Sequence, residues 1–149
     1  MKTQGCVSCI SLALFSPSFL AAFQQPQMPS KCGNSTVEEF SPSLGPKARA
    51  FLAALSAAVK AGDKQKVAAM VQYPLYVNTG KLRRLVRSRS EFAMDYDRIF
   101  TPAVRKAIER QVPECLFANW QGVMIGHGEV WFEEQKNGGM RIKTVNIPE

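Results

Sequence analysis

The chain has 149 residues and a formal net charge of +7, a length that suits one domain with one moderate core. A basic balance of this kind attracts nucleic acid, anionic lipid or acidic glycan, and the export expected below makes nucleic acid the least suitable of the three. A single histidine excludes a multi-histidine metal site, and there is no internal repeat, no G-x-S-x-G elbow and no Gly-rich phosphate loop ahead of a helix.

The first element is a targeting segment. Lys2 is the only charge before Lys31, and the apolar stretch Cys6 to Phe23 ends in Phe19-Leu20-Ala21-Ala22-Phe23. A positive start, an apolar middle and small residues near the end read as a signal peptide over residues 1–22, so the mature protein is expected to be periplasmic or secreted. The alternative is an uncleaved anchor. At about 18 residues, and interrupted by Pro17, the stretch is at the low end for a membrane span. Cys6 and Cys9 leave with the signal. Cys32 and Cys115 remain, and two readings stay open: one disulfide tying the tail to the start of the sheet, or two thiols with Cys115 buried as a small hydrophobe.

Residues 23–46 carry Pro26, Pro29, Pro42 and Pro46 among Ser, Gln and Asn, and read as a linker or tail. Asn34-Ser35-Thr36 matches a glycosylation sequon. Residues 47–149 form the domain. Lys47 to Ala61 is a helix with an apolar stripe of Phe51, Leu52, Leu55, Ala58 and Val59. Gly62 stops it and Asp63 caps a second helix, Lys64 to Gln72. Leu75 to Thr79 and Leu82 to Arg87 make a hairpin turned at Gly80-Lys81. Its cations Lys81, Arg83, Arg84 and Arg87, with Arg89 beyond, are read as a charged sheet edge that resists aggregation or as an anion-binding cluster.

A helix beginning at Ser88 or Ser90 presents Phe92, Tyr96 and Ile99 inward, and Thr101-Pro102 restarts a helix with Val104 and Ile108 on its inner face. The sheet then continues as Leu116 to Gln121, Val123 to Gln135 as one strand or two, and Met140 to Ile147, with Asn137-Gly138-Gly139 as a hairpin turn. Gly126 and Gly128 mark a bulge, a bend or a close approach.

This order predicts an α+β domain with its helices on one face of a curved antiparallel sheet. Three segments carry a resemblance: Tyr73-Pro74-Leu75, Tyr96 to Thr101 (YDRIFT), and Gly122 to Phe132 (GVMIGHGEVWF). On these the span from Lys47 to Ile147 resembles the NTF2-like (cystatin-like cone) superfamily, and within it small exported bacterial proteins of unassigned function. The resemblance implies a cavity between helices and sheet. Relatives use such cavities for isomerisation, dehydration, hydrolysis, binding or dimerisation, so the fold does not carry one activity with it.

Candidate catalytic residues are Asp97, His127 and Glu129. Asp95 and Asp97 lie two apart on a helix and so point in different directions. On a regular strand Val123, Ile125, His127, Glu129 and Trp131 would share a face, making His127 and Glu129 an acid–base pair or a polar patch on an exposed or dimer-forming surface. Tyr73, Tyr76, Tyr96, Asn119 and Trp120, with Asn146, are candidates to line the cavity. No catalytic set assembles from these residues. The expected role is an exported domain that binds a small molecule or protein partner through its cavity or sheet face. The alternative is a small cavity enzyme, an isomerase, dehydratase or hydrolase. No cofactor or metal is expected, and a homodimer is expected if the face bearing Trp131 is apolar enough to need cover.

Overall fold

A computed structural model describes residues 32–33 and 35–149. The expected signal peptide, residues 23–31 of the expected tail, and Asn34 lie outside the described residues.

The described part of the tail is structured. Thr36 caps α1 (Val37–Phe40) by accepting from the Glu39 N–H, and the Glu39 carboxylate accepts from the Thr36 N–H in return. This reciprocal cap folds residues that composition alone assigns to a linker. Val37 is fully buried, its N–H donates to the Leu116 carbonyl at 2.7 Å, and Thr36 bridges Phe117. Cys32 and Cys115 are joined in a disulfide.

Helix α2 (Leu44–Lys60) starts ahead of the expected Lys47 because Pro46 is tolerated in a first turn, where its missing N–H is not needed. Its inner face buries Ala48, Phe51, Leu52, Leu55, Ala58 and Val59. Asp63 caps α3 (Lys64–Ala69) through the Lys66 N–H, at 2.9 Å. The helix ends earlier than the expected Gln72. β1 (Val71–Thr79) takes over directly, and the Ile142 N–H donates to the Met70 carbonyl at 2.9 Å. Pairing with the sheet thus outcompetes the last helical turn. β1 runs through Pro74, which sits in a gap between the Val71↔Ile142 and Tyr76↔Thr144 pairings, where its lack of an N–H breaks no ladder bond.

β2 (Leu82–Val86) returns antiparallel to β1. Ser88 caps α4 (Arg89–Met94), then α5 (Tyr96–Ile99) follows, and Thr101 caps α6 (Pro102–Arg110). A 3-10 turn (Pro113–Cys115) leads into β3 (Phe117–Asn119), β4 (Gly122–Ile125), β5 (Val130–Glu134) and β6 (Met140–Ile147). The strand order is β2-β1-β6-β5-β4-β3. β1 and β6 are parallel and every other neighbouring pair is antiparallel, so the sheet is mixed rather than antiparallel throughout. The parallel pair follows from topology: α4 to α6 and four strands separate β1 from β6, a connection long enough for β6 to return in the same direction. Register shifts in the β1–β6 and β5–β6 pairs accompany the curvature of the sheet, as expected where a bulge adds local bend and twist.

One face of the sheet carries the core. Leu75, Val77, Val123, Ile125, Val130, Phe132, Ile142 and Val145 are buried against the helices. Phe51 of α2 stacks on Phe132 with centroids 4.7 Å apart. Phe92, Tyr96 and Phe100 form a second aromatic knot with centroid separations of 5.3 to 5.8 Å. Between the helices and the sheet these rings join Leu55, Ile99 and Ile108 in one buried apolar cluster.

Candidate functional site: the open face of the sheet

Among the described residues no helix covers the other face of the sheet, which holds a groove of about 440 Å³ lined by Tyr76, Asn78, Arg83, Trp120, Gln121, Trp131, Lys143, Thr144 and Asn146. Strand register explains why these side chains meet. Across β1, β6, β5 and β4 the pairings Tyr76↔Thr144, Thr144↔Trp131 and Trp131↔Met124 make one row. Across β2, β1 and β6 the pairings Arg83↔Asn78 and Asn78↔Asn146 make a second. Tyr76 and Asn78 are two apart on β1, so the rows lie side by side, roughly 7 Å apart along the strand. One row is mainly aromatic and the other polar and cationic.

A bulge adds to the groove. Ile142 and Val145 are both buried although three residues apart, and the β5–β6 register shifts between Trp131 and Phe132. Lys143 and Thr144 are therefore both on the open face. The Lys143 ammonium pairs with Glu133 at 2.6 Å. The Asn78 amide donates to Asn146 Oδ1 at 2.7 Å, and the Asn146 amide donates to the Gly128 carbonyl at 2.5 Å, which fixes both side chains. The Arg83 guanidinium lies 4.5 Å from the Tyr76 ring centroid and has no carboxylate partner among the described residues. Trp120, in the β3–β4 turn, is 85% exposed. Among the described residues no carboxylate belongs to the groove lining, and Glu133 meets it through Lys143.

The structure separates the other candidates. Asn119 closes the β3–β4 turn by accepting from the Gln121 N–H at 2.8 Å, and does not line the groove. Tyr96 is buried in the core and Tyr73 is partly buried against it. The Tyr73 hydroxyl donates to the Ala68 carbonyl at 2.9 Å, and burial pushes its phenol up to about 12 against the opposing charge of Arg89. Burial likewise raises the Tyr96 phenol, with the Arg105 charge opposing it and that of Asp97 adding to it.

The hairpin cations split up. Arg83 turns to the groove, Arg84 pairs with Asp95 on the helical side, and Lys81 and Arg87 are exposed. β2 is an edge strand of the sheet.

Asp97 is exposed and held between Lys64 at 2.7 Å and Arg105 at 3.0 Å. The hydrogen bond from Lys64, the Lys64 and Arg105 charges and the Arg105 hydrogen bond keep its carboxyl below the usual range, against partial desolvation. Asp95 is lowered chiefly by its hydrogen bond from Arg84.

His127 and Glu129 do not share a strand face with Val123, because Gly126 to Glu129 form the turn between β4 and β5. Gly126 and Gly128 adopt φ of +69° and +114°, which L side chains rarely take. Glu129 accepts from the His127 backbone N–H at 2.5 Å, and the His127 side chain is exposed. Both residues line a second pocket of about 420 Å³ beside α6, with Lys106, Arg110, Gln111 and Cys115.

Asn78, Gln121, Lys143 and Thr144 escaped the sequence reading. The phase of the apolar alternation contained a usable signal. Val123 and Ile125 are odd-numbered whereas Val130 and Phe132 are even, so a break must fall between them. Met140 and Ile142 are even whereas Val145 is odd, which places a bulge at Lys143-Thr144.

Among the described residues no helix is long and apolar enough to cross a membrane, and no cluster of three or more His, Cys, Asp or Glu is placed to hold a metal ion. Comparison with family models, curated proteins and solved structures finds no match.

Proposed function

We propose that this chain is an exported binding domain that holds a small ligand or a segment of a partner on the open face of its sheet. The observation that carries the reading is the groove itself: Tyr76, Trp120 and Trp131 beside Arg83, Lys143 and fixed amides, with no carboxylate among the lining residues. Exposed indoles bring a large apolar contact area with a polar handle, and amides already held by neighbours meet a ligand without first being ordered. Export is supported by the Cys32–Cys115 disulfide, a bond that persists in oxidising compartments. Assignment to the NTF2-like cone is supported by the element order and by the curved sheet with helices on one face. In this chain, however, the binding surface lies on the outer side of the sheet rather than in a hollow beneath the helices.

A thermal-shift and tryptophan-fluorescence screen of small acids, saccharides and peptides tests the reading. Hits that stabilise the wild type should lose their effect in Trp120→Ala and Tyr76→Ala. Hits that survive both changes but vanish in Lys106→Ala or His127→Ala would move the function to the pocket beside α6. The 85% exposure of Trp120 favours a second reading, in which another copy of the chain covers this face. Sedimentation showing a concentration-dependent dimer abolished by Trp120→Ala would support it.

A further inference from the structure

We infer that the open-face groove takes an acidic saccharide, an inference that rests on the binding reading above and specifies its ligand.

The first argument is charge. Two cations and no carboxylate line the groove, in a chain of net charge +7. Lys143 is already paired with Glu133, whereas Arg83 lies over the Tyr76 ring and makes no ion pair with a carboxylate among the described residues. An anion set against that guanidinium gains a charge-assisted, geometrically specific contact. Lys81, exposed in the turn beside β2, adds field of the same sign at that end.

The second argument is the pair of rows. A pyranose ring has a C–H face that packs on aromatic rings and a rim of hydroxyls that need hydrogen bonds. The row of Tyr76, Thr144 and Trp131 supplies the flat apolar surface, and the adjacent row of Asn78 and Asn146, with Gln121 and the Thr144 hydroxyl, supplies donors and acceptors at roughly one strand-repeat distance. Trp120 at the far end extends the stacking surface beyond one ring, which suits an oligomer better than a single sugar.

The third argument decides between an acidic saccharide and an aromatic acid, which share the flat ring and the anion. The groove is open on its outer side, so one face of any ligand stays in water. That leaves an aromatic acid with half its apolar surface unburied, whereas a saccharide keeps hydroxyls there at no cost. Amides and a hydroxyl spread along the floor also exceed what an aromatic carboxylate can use.

Short oligogalacturonates and their methyl esters separate the contributions, because esterification removes the charge and leaves the rings and hydroxyls. The disulfide-intact protein is titrated with each, followed by tryptophan fluorescence and calorimetry, alongside Arg83→Gln, Trp120→Ala and a naphthoate control. The free acids should bind and weaken as ionic strength rises. The esters should bind at least about tenfold more weakly, and Arg83→Gln should lose a similar factor for the acids and almost none for the esters. Esters binding as tightly as acids, with both sensitive to Trp120→Ala, would overturn the acidic class and leave the binding surface standing. Naphthoate binding in place of the saccharides would replace the ligand class. Fluorescence that responds to none of the three probes would overturn this inference, and the broader screen above would then decide the fate of the groove independently.

Discussion

The Cys32–Cys115 disulfide allows a quantitative test of how the tail belongs to the domain. Replacing both cysteines by serine removes a covalent link that spans 83 residues of sequence. For a loop of that length, loss of the chain-entropy constraint on the denatured state amounts to about 4.5 kcal/mol. Native stabilities of small domains run from about 5 to 15 kcal/mol, so this is a large share of the total. The folded variant retains the buried Val37 side chain and the Val37 N–H bond to Leu116, so the tail stays docked and the loss falls on the denatured state. Urea unfolding of the two proteins is the assay. The midpoint should drop, and the slope should rise because an unlinked denatured chain exposes more surface. The corresponding fall in melting temperature is roughly 10–20 °C for a domain of this size. A loss below about 1 kcal/mol with an unchanged slope would refute the reasoning, since the link would then close no loop that the denatured chain feels.

Two further outcomes are expected. Phe132 is fully buried and stacked on Phe51, so Phe132→Ala should cost about 3–5 kcal/mol in chemical denaturation, and a cost under 1 kcal/mol would show the helix–sheet interior to be less tightly filled than described. The Asp97 carboxyl is lowered in the folded state by Lys64 and Arg105, so its stabilising effect is complete above the ordinary carboxylate range and is lost as pH falls through the lowered folded value. Melting curves of wild type and Asp97→Asn should therefore differ at neutral pH and converge in acid, and a gap of constant size at every pH would contradict the ion-pair account.

The sequence made the helical part of the fold plain because its signals are local. The stripe on α2, the Asp63 and Thr101 caps and the Asn137-Gly138-Gly139 turn each depend on residues within one or two turns of chain. The two features that matter most for the groove are not local. The parallel pairing of β1 with β6 joins segments about seventy positions apart, and no periodicity in either strand states which neighbour it will have. Which side of the sheet stays uncovered was likewise hidden. Tyr73, Tyr76, Tyr96 and Trp120 are all read from sequence as cavity-lining candidates, yet Tyr76 and Trp120 are exposed while Tyr96 is buried and Tyr73 packs against the core. What separates the two pairs is tertiary: Tyr73 and Tyr96 pack beside Phe92, whereas Tyr76 meets Arg83 on the uncovered face. Lys143 entered the groove through a bulge that a strictly alternating strand would not contain.

Because strand residues point alternately up and down, the residues that hold the fold and those that would meet a ligand are interleaved along the same strands yet physically insulated by one layer of backbone. Asn78, Arg83 or Thr144 can be exchanged without repacking Phe51 or Phe132. The chemistry of the open face is therefore free to drift by point substitution while thermal robustness stays constant. A single-residue deletion within the regular stretch Leu75–Thr79 of β1 would do the opposite, turning outward side chains into the interior and oily ones into water.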